Sequence, residues 1–109
     1  MADADNSITR GSGDVFADLG YADAAVHRTK AELVDRIRSA IAGRALSQTE
    51  AARLSGLDQA DLSPILSGKF RQVSVDRLMR TLTHLGLEVD ITVRRRGEQE
   101  GEVIHYAFA

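Results

Sequence analysis

The sequence predicts a mainly α-helical fold: a bundle of four to five short helices ending in a C-terminal β-strand or hairpin. Three observations predict it. Apolar residues recur at helical spacing in four successive segments between Thr29 and Gly86; capping residues and glycines bound those segments; and after Gly86 the apolar period drops to two. At 109 residues and 43% apolar content the chain is long enough for one modest core and too short for a second independent domain.

The elements follow in order. Thr29 and Glu32 have the spacing of a capping box, and Leu33, Ile37 and Ile41 then repeat at four-residue steps beside Val34 and Ala40, which predicts a first helix ending near Gly43. Ser47 and Glu50 repeat the box and open a second helix of about two turns, with Ala51, Ala52 and Leu54 apolar and Gly56 as its stop. Asp58 is placed to cap a third helix carrying Leu62, Ile65 and Leu66, with Gly68 in the left-handed conformation at its end. Ser74 is placed to cap a fourth, with Val75, Leu78, Leu82 and Leu85 on one stripe and Gly86 closing it. Beyond it, Leu87, Val89, Ile91 and Val93 alternate with Glu88, Asp90, Thr92 and Arg94, the pattern of a strand. The polar run from Arg95 to Glu100 and the apolar stretch from Val103 to Phe108 predict a return strand and a hairpin. The organisation read from this is an acidic N-terminal extension over 1–26 with a short apolar segment, a helical domain over 27–86, and a strand pair over 87–109.

The net charge of −2 conceals a division along the chain. Residues 1–26 sum to −4, residues 27–80 carry ten basic and six acidic side chains for +4, and residues 81–109 return to −2. A basic middle suits phosphate, because each neutralised phosphate releases condensed counterions. Arg94-Arg95-Arg96 beside the expected turn reads either as a solvated loop or as a flank contact to phosphate. With no cysteine there is neither a disulfide framework nor a thiolate metal site. His27, His84 and His105 lack metal-ligand spacing, and no phosphate loop or nucleophile motif appears, so neither an enzyme nor a cofactor is expected. The N-terminus has no apolar signal region and no segment approaches a membrane span, which leads us to expect a cytoplasmic protein without membrane contact.

The spacing within Leu46-Ser47-Gln48-Thr49-Glu50-Ala51-Ala52-Arg53-Leu54-Ser55-Gly56-Leu57 is more demanding than that of a generic helical hairpin. Gln48 starts the second helix, small Ala52 four residues later allows close helix approach, and Gly56 four further on supplies the positive φ of a tight turn. Gln59, eleven residues after Gln48, begins the third helix. This arrangement resembles the Cro/C1-type (Xre) helix-turn-helix family, in which the third helix enters the major groove of double-stranded DNA. The resemblance implies that Gln48 meets phosphate and Gln59 reads a base, consistent with the ability of a glutamine amide to bond adenine N6 and N7 together. It places Ser47, Thr49 and Lys69 as further backbone contacts, Ala60 and Ser63 toward base edges, and Arg71 within reach of phosphate. Two departures stand out. Pro64 inside the third helix predicts a kinked or short recognition helix, and Ile41 with Leu66 replaces a buried Arg–Glu pair found in some phage repressors.

The segments from Ile8 to Gly20 and from Phe70 to Ile91 extend the likeness to small single-domain Xre regulators that include HigA-type antitoxins. That resemblance implies a dimeric repressor of its own operator, with half-sites about 34–36 Å apart, and a RelE/HigB-type ribonuclease toxin as partner. Val15, Phe16 and Leu19, together with Val89, Ile91 and Val93, are the candidate partner-binding residues, although the first three would equally cover the domain's own core. A stand-alone Xre-type regulator and an interaction module that has lost DNA binding are the alternatives.

Overall fold

Leu33, Val34, Ile37, Ala40 and Ile41 set one apolar stripe along a helix against which the third and fourth helices pack, and the second helix packs on those two. The computed structural model describes residues 12–107, and the side chains of 23–107. Its elements are α1 (Ser12–Gly43), α2 (Gln48–Ser55), α3 (Gln59–Leu66), α4 (Val75–His84), β1 (Asp90–Val93) and β2 (Glu102–His105). The mainly α fold with a terminal hairpin is as the sequence predicts. Val34, Ile37, Leu62 and Leu78 are fully buried, one or two from each of α1, α3 and α4, and Ala51 and Ala52 bring α2 onto them. Each of the larger side chains contributes roughly 1.5–3 kcal/mol by leaving water. Ile41 and Leu66 are half-buried against this core, as an apolar pair requires.

The first helix differs from expectation at its start. Thr29 caps nothing: it lies inside α1, where its hydroxyl donates to the Ala25 carbonyl at 3.3 Å. Hydroxyls within helices return to the preceding turn in this way, and the run Ala22-Asp23-Ala24-Ala25-Val26 contains nothing that breaks a helix, so the turn before Thr29 is helical too.

The Ser47–Glu50 box forms as expected. The Ser47 hydroxyl accepts from the Glu50 N–H at 3.1 Å and the Glu50 carboxylate accepts from the Ser47 N–H at 2.9 Å. Ser74 likewise accepts from the Arg77 N–H at 3.0 Å. Asp58 is a correction: it holds the extended cap conformation, yet its side chain makes no capping hydrogen bond, and its carbonyl alone receives the Asp61 and Leu62 N–H groups.

All four helices among the described residues end by one device. At the end of α2, Leu57 N–H reaches the Ala52 carbonyl while Gly56 N–H reaches that of Arg53, and the same nested pair recurs as Lys69 to Pro64 with Gly68 to Ile65, and as Leu87 to Leu82 with Gly86 to Thr83. The inner donor of each pair has positive φ, the position where glycine is normally found. For α1 the pair is Leu46 to Ile41 with Ala45 to Ala42, so the left-handed residue is Ala45, at φ 53°, and Gly43 is spent inside the helix.

Pro64 sits in the sixth position of the eight-residue α3, a short helix as expected. Its missing N–H removes one bond to the Ala60 carbonyl. Its own carbonyl gathers the Ser67 N–H, the Ser67 hydroxyl and the Lys69 N–H, which closes the helix at once.

The hairpin pairs β1 antiparallel to β2 within the chain, Ile91 facing Ile104 and Val93 facing Glu102. Both strands are shorter than the apolar alternation suggested, and every residue in them is exposed. Val89 and Tyr106 at the base join the sheet to the helices: Val89 packs on the core, and the Tyr106 hydroxyl donates to the Asp76 carboxylate of α4. That bond pushes the phenol's pKa up, with burial and the Asp76 charge adding to it. Gly101 is required at the start of the return, since a Cβ there would stand 2.3 Å from the Val93 carbonyl oxygen.

The misplaced glycine at the end of α1 yields a stability prediction. Gly43→Ala removes a flexible residue from a helix with nothing within 4 Å to clash, and Ala45→Gly relieves a left-handed alanine. Each should raise unfolding free energy by about 0.5–1 kcal/mol, read as increased midpoints in urea with unchanged slope.

Candidate nucleic-acid interface

The candidate surface is built from the starts of two helices and the loop after the second. The α2 box uses the Ser47 N–H internally, so the N–H groups of Gln48 and Thr49 are the first-turn donors with no partner inside the helix. At the start of α3 the uncapped side of Asp58 leaves the N–H groups of Gln59 and Ala60 in the same condition. The two starts are tied together: the Thr49 hydroxyl donates to Gln59 Oε1 at 3.0 Å, across ten positions of sequence. This bond turns the Gln59 amide so that its NH2 group and the second lone pair of Oε1 remain for an outside partner. Gln48, Thr49, Gln59 and Ala60 are exposed, whereas Ser63 is half-buried and presents less surface than its position suggested.

Lys69 and Arg71 are also exposed and lie in the loop between α3 and α4. Helix α1 holds that loop. Lys30 Nζ donates to the Arg71 carbonyl at 2.8 Å, and the His27 ring stacks on Phe70 with centroids 4.8 Å apart and planes 13° from parallel. Phe70 itself is 5% exposed, an aromatic anchor between the two cations. Arg38 Nε donates to the Leu66 carbonyl at 3.0 Å, a cation set on the C-terminal end of α3, and its Nη1 pairs with Asp35 at 2.7 Å. Arg44 does the same for α4, donating to the Leu85 carbonyl at 3.1 Å.

Sequence reading missed these partners. It counted Lys30, Arg38 and Arg44 toward a basic face, whereas each spends its charge on a backbone carbonyl 28 or 41 positions away. The placement of Phe70 between Lys69 and Arg71 was the signal available, since an aromatic side chain between two cations in a short loop has a use as an anchor. Of the other sequence-selected residues, Val89 is half-buried against the core, and Ile91 and Val93 are exposed at 38% and 57%. Val15, Phe16 and Leu19 lie outside the described side chains. Among the described residues no group of three metal-binding side chains occurs, and no helix is long and apolar enough to cross a membrane.

Two short helices, joined by a left-handed glycine and coupled start to start, define a helix-turn-helix protein of the DNA-binding regulator class. A family model described as a helix-turn-helix domain matches residues 15–94, and the chain belongs to that family. It is 36% identical over 75 residues to a Mycobacterium tuberculosis protein named "Putative antitoxin HigA2", an alignment covering 64% of this chain and 74% of that one. The family is thus the Xre-like one that includes HigA-type antitoxins.

The capping box that starts α2 gives a pH prediction. The Ser47 N–H and hydroxyl hold the Glu50 carboxyl below its ordinary value of 4.5. A lowered folded value means the contribution is full above 4.5 and is lost as pH falls through that lowered value. Glu50→Gln keeps the box geometry without the charge. Its stability should therefore lie below wild type at pH 7 and converge on it in acid, as read by denaturant titrations across pH.

Proposed function

We propose that this protein is a sequence-specific transcriptional repressor that binds its own promoter as a homodimer and serves as the antitoxin of a type II toxin–antitoxin pair. The observation that carries the DNA-binding half is the Thr49–Gln59 hydrogen bond, which couples the start of α2 to the first side chain of α3. In this reading Gln59 bonds an adenine in the major groove. Ala60 touches a thymine methyl, and Ser63 lies toward the same base edges. Ser47, through its hydroxyl, and Gln48 and Thr49, through their N–H groups, meet phosphate at the positive end of α2. Lys69 and Arg71 add phosphate contacts from the loop, set in place by Phe70 and Lys30. The side chain of Pro64 offers no donor, so recognition rests on the first turn of α3.

The antitoxin half is supported by the 36% identity to a protein so named. The partner is then a small ribonuclease of the RelE/HigB type encoded beside this gene, with Val15, Phe16 and Leu19 on α1 as candidate contacts. Co-expression with the neighbouring reading frame tests this half: a stable complex and suppressed toxicity are expected, and a neighbour that neither binds nor harms cells overturns it.

Gel-shift titration on the protein's own upstream DNA tests the other half. Gln59→Ala should weaken specific binding by ~1–3 kcal/mol and relax preference at one base pair, while Lys69→Ala should weaken all sequences alike and reduce the salt slope by about 1. No salt-sensitive complex with wild-type protein would sink the repressor reading.

A further inference from the structure

The hairpin carries a pattern that the helical domain does not use. Tyr106 N–H bonds the Val89 carbonyl at 2.9 Å, which continues the β1–β2 register one position past the Asp90–His105 pair. Antiparallel pairing alternates, so Ile91 and Val93 also turn their backbone groups toward β2, while those of Asp90 and Thr92 point away from it. The sheet has only the two strands, and among the described residues nothing pairs with that outer edge of β1. Ile91, Val93, Val103 and Ile104 are all exposed. Four-residue strands in an isolated pair are marginal in water, and a bare edge of this kind is a template for another strand.

The charges around β1 say which strand. From Glu88 the chain reads Glu-Val-Asp-Ile-Thr-Val-Arg-Arg-Arg, acids at one end and bases at the other. Laid antiparallel on a second copy about a two-fold axis at Thr92, Asp90 faces Arg94, twice, while Ile91 faces Val93; Glu88 and Arg96 lie beyond the strand at the same two ends, Arg96 within the turn that the Glu98 N–H closes on the Arg95 carbonyl. The even-numbered residues that meet in this register are those whose backbone groups point outward. Glu88, Arg94 and Arg96 are exposed and, among the described residues, have no ion pair. Asp90 Oδ1 lies 2.6 Å from His105 Nδ1, leaving Oδ2 for a second partner. The edge of β2 has no such symmetry: Glu98, Glu100 and Glu102 precede or begin it, and His105 alone stands at the other end.

We infer that β1 is a self-pairing edge, and that its occupant is β1 of a second copy of this chain. The product is a four-stranded sheet in the order β2-β1-β1-β2, with two Asp90–Arg94 pairs across the junction and further acids and bases of opposite sign beyond its ends. Ile91, Val93 and Ile104 of both copies lie on the face that Val89 and Tyr106 already turn toward the helices, so the junction extends an apolar surface anchored at both ends. The interface is isologous and closes as a dimer. It supplies the two-fold assembly that the proposed repressor calls for, but its test reads mass rather than DNA binding, so either can fail without the other.

Sedimentation equilibrium of the full chain should give twice 11.8 kDa. Asp90→Arg and Arg94→Asp each set like charges face to face, and each should raise the dimer dissociation constant roughly tenfold or more. An equimolar mixture of the two variants restores opposite charges at both ends and should recover wild-type affinity. Thr92→Pro removes an outward N–H while sparing the β1–β2 bonds, and should give a monomer with unchanged helical circular dichroism. A wild-type chain that stays monomeric at every soluble concentration overturns the inference. So does a dimer indifferent to all three variants, or a mixture no tighter than its components.

Discussion

The burial of Val34 and Ile37 on α1 is the constraint on which the remaining structure depends. Both are wholly removed from water, and the helices that carry Leu62 and Leu78 pack against them. Around this apolar seam α1 and the residue just past its end place three cations at well-spaced carbonyls: Lys30 on Arg71, Arg38 on Leu66 and Arg44 on Leu85. Two of those carbonyls lie at the C-terminal ends of α3 and α4, where unpaired oxygens gather the negative end of the helix dipole. One helix therefore supplies both the hydrophobic wall and the polar clasps that hold the shorter helices in register.

Short helices need firm ends, because a helix of eight residues has as many terminal groups as internal ones. Here each one is closed by the same pair of nested hydrogen bonds, and three of the four put glycine at the left-handed position. Pro64 belongs to this arrangement. It stands close enough to the end of α3 that one lost hydrogen bond is offset by the three donors its carbonyl collects. Helix α3 is short because its ending begins at the proline, and the first turn, where Gln59 and Ala60 lie, is left intact.

Much of the candidate surface was legible along the chain. Ser47, Gln48, Gln59 and the turn at Gly56 are separated by distances that local backbone geometry dictates, and the structure places them as that spacing implies. The loop beyond α3 was legible only in part. That Lys69 and Arg71 fall outside the helix follows from Gly68; that their loop is pinned by His27 and Lys30 does not, because those contacts join residues about forty positions apart. The Asp58 side chain shows the opposite limit: a good capping residue in a good capping conformation made no bond. A single side-chain rotation decides such a contact, and sequence spacing carries no information about it.

Sequence by itself determined the number of helices after α1, their ends, the change to a strand period after Gly86 and the family to which the spacing belongs, all of which depend on periodicities and caps spanning a few residues. It misplaced the start of α1, because Thr29 and Glu32 have the spacing of a cap whether or not the chain before them is helical. Only the tertiary structure decided which basic residues are consumed in holding loops, how Thr49 orients Gln59, and that the apolar residues of the hairpin stand exposed beyond its docked base at Val89 and Tyr106. These are matters of which distant groups meet. They are settled when α1 lays its stripe against α3 and α4, which in turn hold α2 and the base of the hairpin.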